Sequence, residues 1–277
     1  MIKRVKAPIR IDFGGGTTDI YPFTKIEGGA VLNCAINHYV IGELVATDKE
    51  TKLEYHADIP TSSGLGTSGV MNLVWLALIS KTNNKIELAE NVYKLEQSQG
   101  LVGGKQDQYA AALGGINFLE FKNDKVKINH LNLDKKFLNK LENSLVIVYL
   151  GEHFSGSANK LMIDNLIKGK NRQNLINIKK IAIEMKNALS KKNLERFSEL
   201  LNSETEERKK LHKDIVNPKM EKFIKEGFEN GAISAKICGS GGGGSILFFC
   251  KDRKKLISKF KSNVIEFKID FNGLTYF

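Results

Sequence analysis

The sequence predicts an α+β protein with two lobes. Its extended and helical segments fall into groups along the chain, and the strands have the patterning of antiparallel sheets, which favours helices that are segregated from the strands. The chain has 277 residues, of which 42% are hydrophobic and 26% are charged, so it can bury a sizeable core. A polar segment at residues 129–143 separates two halves. We therefore expect an N-terminal lobe over residues 1–143 and a C-terminal lobe over residues 144–277.

The first half begins with extended segments and continues with helices. Residues 3–13 have the pattern of a strand and then meet the consecutive glycines Gly14, Gly15 and Gly16, which force a tight turn. Runs rich in β-branched residues predict further strands, whereas apolar residues at i, i+4 and i+7 predict helices. The predicted strands lie at residues 30–46, 52–59 and 116–121, and the predicted helices at residues 68–80, 87–99 and 106–113.

The second half begins with an apolar strand and continues with long amphipathic helices. The predicted strands lie at residues 144–150, 233–238, 245–249 and 264–269. The predicted helices lie at residues 157–168, 172–189, 194–211, 218–229 and 254–261. A glycine tract at residues 239–244 joins two of these strands.

Composition and charge narrow the classes of function. The net charge is +11, but the lysines are spread over helices and no nucleic-acid-binding motif accompanies them, so we expect no nucleic-acid partner. No apolar stretch approaches the ~20 residues that span a bilayer, and we expect a cytoplasmic protein without a membrane partner. The three cysteines and five histidines show no metal-ligand spacing, and no disulfide framework is expected.

The stretch from Pro60 to Gly69, PTSSGLGTSG, has the features of a phosphate-binding loop. Its glycines let successive backbone N–H groups converge, and the N-terminus of the helix that follows adds partial positive charge. Ser62, Ser63, Thr67 and Ser68 supply hydroxyl groups for phosphate oxygens or Mg²⁺. The loop is not of the Walker A type, because no lysine follows its last glycine. An ordinary Ser/Gly turn that caps the helix explains the same residues, and this alternative stays open.

Two further glycine-rich stretches and two acids accompany this loop. Residues 7–23 join Arg10, inside a strand, to the glycine turn and Asp19. The glycine tract lies between apolar strands, which favours close approach of its backbone to a ligand over a flexible loop. Glu96 and Asp107 bracket another glycine loop, and a kinase needs one carboxylate for Mg²⁺ and one near the attacking hydroxyl. Taken singly, Glu96 and Asp107 are more commonly explained as acids on a helix surface. An outward-facing Arg10 and a turn in which Asp19 caps a short helix explain the first stretch.

The order of these stretches resembles that of the GHMP kinase superfamily. The matching motifs are APIRIDFGGGTTD, GGAVLNCAINHYV, GGKQDQYAAALGGINF and KICGSGGGGSILFF, and the similarity extends from the N-terminus to at least Phe249. Within the superfamily, the sequence is most similar to the D-glycero-D-manno-heptose 7-phosphate kinase group of sugar 1-kinases. The resemblance implies a two-lobe fold, with an N-terminal lobe like domain 2 of ribosomal protein S5 and a ferredoxin-like C-terminal lobe.

The resemblance also implies a role for each matching residue. Asp107 would face the acceptor hydroxyl and Arg10 would pair with it, so these two are the expected catalytic residues. Ser68 and Glu96 would hold Mg²⁺. The residues expected to bind the nucleotide phosphates are Ser62, Ser63, Gly64, Leu65, Gly66 and Thr67. The residues expected to bind the acceptor are Gly14, Gly15, Gly16, Thr18, Asp19, Gly239, Gly241 and Gly242.

The implied reaction is phosphoryl transfer from ATP, with Mg²⁺, to a hydroxyl of a sugar or sugar phosphate, and the anomeric hydroxyl is the expected one. A phosphate already on the acceptor would need a basic partner, although charges solvated on helix surfaces explain the candidate residues as well. These candidates are Lys105, Arg172, Arg208, Lys209 and Lys210.

Three other functions stay open at this stage. The first is a catalytically silent regulator that binds sugar and nucleotide, and the second is a kinase for a non-sugar alcohol such as mevalonate. The third is a nucleic-acid-binding module, motivated by charge alone. The segment before the phosphate loop is short for the family, so the choice between ATP and GTP is also open, as is the oligomeric state.

Overall fold

Two antiparallel sheets with flanking helices form the protein over the residues that the computed structural model describes, 1–151 and 156–277, without the side chains of residues 156–161. The elements of the first half are β1 (Ile2–Gly14), α1 (Phe23–Ile26), β2 (Gly29–Ala46), β3 (Thr51–Ala57), α2 (Thr67–Ile79), α3 (Lys85–Ser98), α4 (Gln106–Leu113), β4 (Ile116–Lys122), β5 (Lys125–His130) and α5 (Lys135–Ser144). The elements of the second half are β6 (Leu145–Tyr149), α6 (Gly156–Ile167), α7 (Arg172–Ser190), α8 (Leu194–Lys209), α9 (Pro218–Glu229), β7 (Ala232–Ile237), β8 (Ser245–Cys250), α10 (Arg253–Phe260), β9 (Val264–Ile265) and β10 (Thr275–Tyr276).

The first sheet contains the strand on which the site is built. Its order is β10–β1–β2–β4–β5, and β3 also pairs with β2. Helices α2 and α4 pack against β1, and α7 packs against both β1 and β2. Residues 7–14 of β1 are therefore buried without a break. Arg10 and Asp12 lie two positions apart on this strand, so their side chains share one face and both are removed from solvent.

The helices of the first half begin and end at the residues that favour such boundaries. Asn84 caps α3, because its Oδ1 accepts hydrogen bonds from the N–H groups of Ile86 and Glu87 at 3.0 and 3.2 Å. Gly114 ends α4 with a positive φ of 72°. Helix α2 is apolar in sequence but buried on one side only, and Ser68 and Ile79 are exposed at its two ends.

The second sheet has the order β7–β8–β6–β9. All six residues of β8 are buried, which agrees with the apolar sequence of this strand. Helix α8 packs against β7 and α7, and its Phe197 lies edge to face against Phe13 of β1 at a centroid distance of 5.3 Å. Helix α8 thus contacts strands of both sheets, and the glycine tract between β7 and β8 lies close to the end of β1.

Residues 125–144 form more regular structure than the sequence predicted. Instead of a plain polar segment, they contain strand β5 and helix α5. Asp134 caps α5 by accepting a hydrogen bond from Phe137 N at 2.9 Å. Phe137 and Leu141 are buried and Leu138 packs beside them, so a stripe of apolar side chains holds this lysine-rich helix on the core.

The end of the chain returns to the first sheet. The strand predicted at residues 264–269 is short, since β9 covers only Val264–Ile265. The chain then passes Ile36, which forms an isolated bridge with Ile269, and ends as β10, where Tyr276 pairs with Val5. The first sheet therefore contains residues from both ends of the sequence, and the division at residues 143 and 144 stays a prediction.

Within the described ranges, no helix combines the length and the apolar composition that crossing a membrane would require.

Candidate active site

A cavity of about 530 Å³ lies where the three glycine-rich stretches meet. The end of β1, the start of α2, the end of α3 and the start of α4 surround it, together with the glycine tract. Its walls contain the carboxylates of Asp12, Asp19, Glu96 and Asp107. Two guanidinium groups also border it, and they belong to the residues Arg10 and Arg208. The cavity is therefore polar and contains charges of both signs.

The loop before α2 leaves the N-terminus of that helix open. The N-cap residue is Gly66, in the left-handed conformation with φ 79°, and no side chain caps the helix. The first N–H groups of a helix have no partner within it, so they are available to an anion at this end of the cavity. The serine and threonine hydroxyls of the loop therefore do not cap this helix. The Ser63 and Thr67 hydroxyls lie 3.4 Å from each other, inside the loop.

Arg10 joins the loop to Asp107. Its Nε and Nη2 both lie 2.8 Å from Oδ1 of Asp107, and its Nη1 donates to the carbonyl oxygen of Gly64 at 2.8 Å. The Arg10 backbone N–H donates to the carbonyl of Leu65 at 3.0 Å. Burial disfavours the charge of Arg10, but the carboxylates of Asp107 and Asp12 outweigh this effect, and the pKa of Arg10 is raised above its ordinary value.

Asp107 lies in the first turn of α4 and faces the N-terminal end of α2. A Cβ on Gly66 would lie 3.1 Å from Cγ of Asp107 and 3.3 Å from Cζ of Arg10. A Cβ on Gly69 would lie 2.9 Å from the Cβ of Asp107. These two glycines let the backbone of the loop and helix lie directly against the Arg10–Asp107 pair, which places the carboxylate beside the open helix N-terminus.

Glu96 lies near the end of α3, almost buried in the same cavity. Its two carboxylate oxygens accept hydrogen bonds from Asn72 Nδ2 at 2.7 Å and from Gln108 Nε2 at 2.5 Å. Burial is the main reason that the pKa of Glu96 is raised to about 7, and the negative charge of Asp107 adds to the effect. The Ser68 side chain, at the start of α2, borders the cavity and is exposed.

These groups suit a magnesium ion that is shared with a nucleotide. Mg²⁺ prefers oxygen ligands and is usually bound by one or two carboxylates together with substrate phosphates and water. Glu96 and Ser68 provide a carboxylate and a hydroxyl on the same cavity. Over the described residues, no group of three or more His, Cys, Asp or Glu side chains could hold a metal by itself.

Asp19 is buried and its carboxylate lies against Gly104, in the glycine loop of residues 100–104. Its Oδ2 accepts a hydrogen bond from the N–H of Gln106 at 3.0 Å, so it satisfies one of the open N–H groups of α4 from a distant part of the chain. Burial raises the pKa of Asp19 to about 6, and repulsion from Asp107 and Asp12 contributes to the rise. The local interpretation, in which Asp19 caps a helix next to it, is wrong, because α1 has Pro22 at its N-cap and no side-chain cap.

Comparisons with known proteins identify the family of the chain. Two family models match it, described as GHMP kinases N terminal domain over residues 31–115 and GHMP kinases C terminal over residues 185–265. The chain belongs to the GHMP kinases. The predicted family, the α+β GHMP kinase fold and the enzyme class, a small-molecule kinase, are thereby confirmed.

Individual relatives of this GHMP kinase include enzymes that act on sugars. It is 27% identical to the D-glycero-alpha-D-manno-heptose 7-phosphate kinase of Campylobacter jejuni, over 91% of this chain and 90% of that protein. Its structure is similar to that of a D-glycero-D-manno-heptose 1-phosphate kinase from Bacteroides thetaiotaomicron, with TM-score 0.78, 24% identity and coverage of 100% and 99% of the two chains. It is also similar to the galactokinase of Lactococcus lactis complexed with galactose, with TM-score 0.71, 16% identity and coverage of 100% and 95%.

Most of the residues predicted for the site of this kinase border one cavity. They are Arg10, Gly16, Asp19, Ser62, Gly64, Gly66, Thr67, Ser68, Glu96, Asp107 and Gly239. The other predicted residues are not part of this lining; they are Gly14, Gly15, Thr18, Ser63, Leu65, Gly241 and Gly242. Gly242, for example, bonds to the protein itself, since its N–H donates to the carbonyl of Ile215 at 2.9 Å. The roles assigned to all of these residues stay predictions.

All five basic residues proposed for an acceptor phosphate already have acidic partners, Arg208 with Glu204 included, and four of the five lie away from the cavity lining. Lys105 is buried and donates to both carboxylate oxygens of Glu90 at 2.8 Å. The three others form surface ion pairs, Arg172 with Glu27, Lys209 with Glu206 and Lys210 with Glu207. The fifth candidate, Arg208, borders the cavity.

Sequence reasoning missed several residues of the lining. Asp12 follows Arg10 by two positions in the first motif, so strand alternation could have placed it on the same face. Gln106 and Gln108 flank Asp107 in the motif GGKQDQ. Asn72 lies one turn after Ser68 on the helix that follows the loop, and this i, i+4 spacing was a usable signal for its contact with Glu96.

Proposed function

We propose that this GHMP kinase transfers the γ-phosphoryl group of ATP to a hydroxyl of a sugar or sugar phosphate, preferably the anomeric hydroxyl, as a heptose 7-phosphate kinase does. One observation supports this most strongly. The Arg10–Asp107 pair lies against an uncapped helix N-terminus in the same cavity as the magnesium-suited pair Ser68 and Glu96. Phosphoryl transfer needs a carboxylate near the attacking hydroxyl, a phosphate cradle and a metal ligand together.

The donor side of the cavity is formed by the phosphate loop and the start of α2. We assign the triphosphate to the open N–H groups after Gly66, because they concentrate partial positive charge at a helix end. Ser68 and Glu96 would hold Mg²⁺ there. When bound, the ion supplies positive charge that offsets the negative charge of the phosphate oxygens.

The acceptor side is formed by Asp107, Asp19 and the glycine turn that follows β1. Asp107 would accept the proton of the attacking hydroxyl or orient that hydroxyl, and geometry near the uncapped helix supports this role. Arg10 holds the Asp107 carboxylate in place and adds a positive charge beside the group in transfer. Asp19 would accept hydrogen bonds from further acceptor hydroxyls. A cytoplasmic location, where ATP is available, is part of this proposal.

A sugar acceptor is preferred to mevalonate or another non-sugar alcohol. The heptose 7-phosphate kinase relative is similar over nearly its whole length, and the cavity presents the buried carboxylates of Asp12 and Asp19 on the acceptor side. Carboxylates accept hydrogen bonds from hydroxyl groups but repel a carboxylate-bearing acceptor.

A substrate screen tests the proposal. The purified chain is incubated with ATP, MgCl₂ and a panel of sugars and sugar phosphates, together with mevalonate and homoserine, and products are analysed by ³¹P NMR. We expect a sugar 1-phosphate or a sugar bisphosphate with the new phosphate on the anomeric carbon, and no product when EDTA removes the metal. Phosphorylation of a non-sugar alcohol in preference to every sugar, or nucleotide binding without transfer to any acceptor, would contradict the proposal.

A further inference from the structure

A group of four charged side chains is buried beneath the acceptor side of the cavity. Asp12 lies on β1, Lys236 on β7, and Glu204 and Arg208 on α8, and each is at most 1% exposed. Arg208 Nη2 lies 2.6 Å from Oε1 of Glu204 and 3.8 Å from Oδ2 of Asp12. Lys236 Nζ lies 3.3 Å from Glu204 and 3.5 Å from Asp12. These four residues, here called the buried charge cluster, have two charges of each sign.

Within the buried charge cluster, Arg208 donates hydrogen bonds to the glycine turn after β1, and Asp12 packs against the same turn, since a Cβ built on Gly16 would clash with its Oδ2. The Nη2 of Arg208 donates to the carbonyl oxygen of Gly16 at 3.1 Å, and its Nη1 lies 3.4 Å from Oγ1 of Thr17. The same Nη1 lies 3.4 Å from the carbonyl oxygen of Gly239, in the glycine tract. One guanidinium group from the second half of the chain thus connects the two backbone segments that border the acceptor side.

The turn that Arg208 contacts is conformationally strained. Thr17 has a φ of 77°, a left-handed conformation that is rare for a β-branched residue and costs free energy unless its surroundings enforce it. The neighbouring Gly15 also has a positive φ, 96°. Hydrogen bonds from a rigid, planar guanidinium fork can enforce such a conformation, whereas a lysine ammonium lacks the fork geometry.

Stability alone does not account for the cluster. Well-packed apolar side chains of similar volume are often as stabilising as a buried ion pair or more so. The donor side of the cavity has hydrogen bonds of its own, because Arg10 bonds to Gly64 and Leu65. Arg208 bonds to the backbone of the glycine turn and of the glycine tract, and among the described residues it has no hydrogen bond to the phosphate loop. The glycine tract contacts that loop where Gly239 packs against Gly64.

We propose that Arg208 is a positioning residue for acceptor binding, which fixes the turn at Gly16 and Thr17 against the glycine tract at Gly239. The kinetic test of this inference rests on the proposed kinase function, because it needs a sugar that the enzyme phosphorylates. Lys236 provides a matched control, since it belongs to the same cluster and is equally buried, but its contacts are to Asp12, Glu204 and the carbonyl of Ile237.

The kinetic test compares Arg208→Lys with Lys236→Met, using the sugar that the substrate screen identifies. For Arg208→Lys we expect the KM for the acceptor to rise at least about tenfold, as for the loss of a charged hydrogen bond, with the KM for ATP within about threefold. For Lys236→Met we expect a larger drop in Tm but an acceptor KM within about threefold of the wild-type value. Equal changes in both KM values, or the same acceptor effect in both variants, would overturn the proposal.

Hydrogen–deuterium exchange tests the same inference without a substrate. In Arg208→Lys, peptides that cover residues 14–19 and 239–244 should exchange faster, whereas a peptide covering residues 60–69 should exchange as in the wild type. Unchanged exchange at residues 14–19 would overturn the positioning role even if no sugar were turned over. A wild-type chain that phosphorylates no sugar would instead contradict the proposed function.

Discussion

Asp19, a residue proposed to bind the acceptor, is buried at a cost in stability. Its carboxylate is buried and bonded to the N–H of Gln106, yet burial and the nearby charges of Asp107 and Asp12 raise its pKa from 3.8 to about 6. An acid with a raised pKa is favoured in its neutral form by the folded state. Between pH 4 and 6 the unfolded chain releases this proton first, so stability falls as the pH rises through that window and stays lower above it.

Replacing Asp19 by Asn should therefore stabilise the protein at pH 8. At about 1.4 kcal/mol per pKa unit, the gain is about 3 kcal/mol at pH 8 and falls towards zero near pH 4. Urea unfolding of the wild-type protein and Asp19→Asn at both pH values measures this difference. An equal effect of the substitution at pH 4 and pH 8 would contradict the burial account.

At the scale of the element, the phosphate loop and α2 depend on one left-handed position. Gly66 has a φ of 79° and lies against Asp107 and Arg10, so a methyl group there has both a conformational cost and a steric one. Gly169 has nearly the same φ, 73°, but no atom of the described chain lies within 4 Å of a Cβ built on it. Substitutions at the two glycines therefore separate the effect of backbone strain from the effect of displacing the Arg10–Asp107 pair.

Gly66→Ala should reduce kcat by more than tenfold, because the added Cβ displaces the Asp107 carboxylate from its place beside the helix N-terminus. Both substitutions should lower the free energy of unfolding by about 1–2 kcal/mol, the cost of a left-handed residue. Gly169→Ala should leave kcat unchanged. Kinetics and Tm of both variants give the comparison. A Gly66→Ala enzyme with wild-type kcat would refute this role of the loop.

Elements with strong local signals were predicted closely. The bounds of α4 and of α9, with Pro218 at its first position and Asn217 as its cap, agree with the sequence because the stop and start residues act locally. Strand β5 and helix α5 were missed, because their few apolar residues are scattered among lysines and asparagines. Strand β10 has two residues and depends on pairing with the other end of the chain, which no local pattern indicates.

The candidate site was predictable to the extent that its residues lie in motifs. Arg10, Glu96 and Asp107 were predicted and the structure brings them to one cavity, although their roles stay predictions. Arg208 and Lys236 are different, because each is paired with Asp12 more than 190 positions away. A run of charges on a helix has the pattern of a solvated surface, and only the tertiary fold distinguishes a buried arginine within it.

At the scale of the whole molecule, the C-terminal segment supports the helix that contains Asp107. The N–H of Leu274 donates to the carbonyl of Ala112 at 3.2 Å, and the N–H of Gly115 donates to the carbonyl of Asp270 at 2.6 Å. The Leu274 side chain is 2% exposed and belongs to the main hydrophobic core, whereas the side chain of Phe277 is 63% exposed. The C-terminal segment thus stabilises the end of α4 through backbone hydrogen bonds and a buried leucine.

Leu274→Ala should lower the free energy of unfolding by about 2–5 kcal/mol, the usual cost of truncating a buried leucine. Phe277→Ala should change it by less than about 0.5 kcal/mol, because the side chain is mostly in solvent. Urea unfolding curves of the two variants provide the measurement. Equal losses would show that the C-terminal segment is not anchored through its core residue.

The proposed phosphoryl transfer depends on Asp107 as the group that contacts the acceptor hydroxyl. The most direct test is to measure turnover and ATP affinity of Asp107→Ala side by side. We expect turnover to fall by at least about a hundredfold, within the range that proton transfer by a positioned side chain contributes, while the Kd for ATP stays within about threefold because the loop and α2 are intact. Near-normal turnover in Asp107→Ala would contradict the assignment of this cavity as the phosphoryl-transfer site.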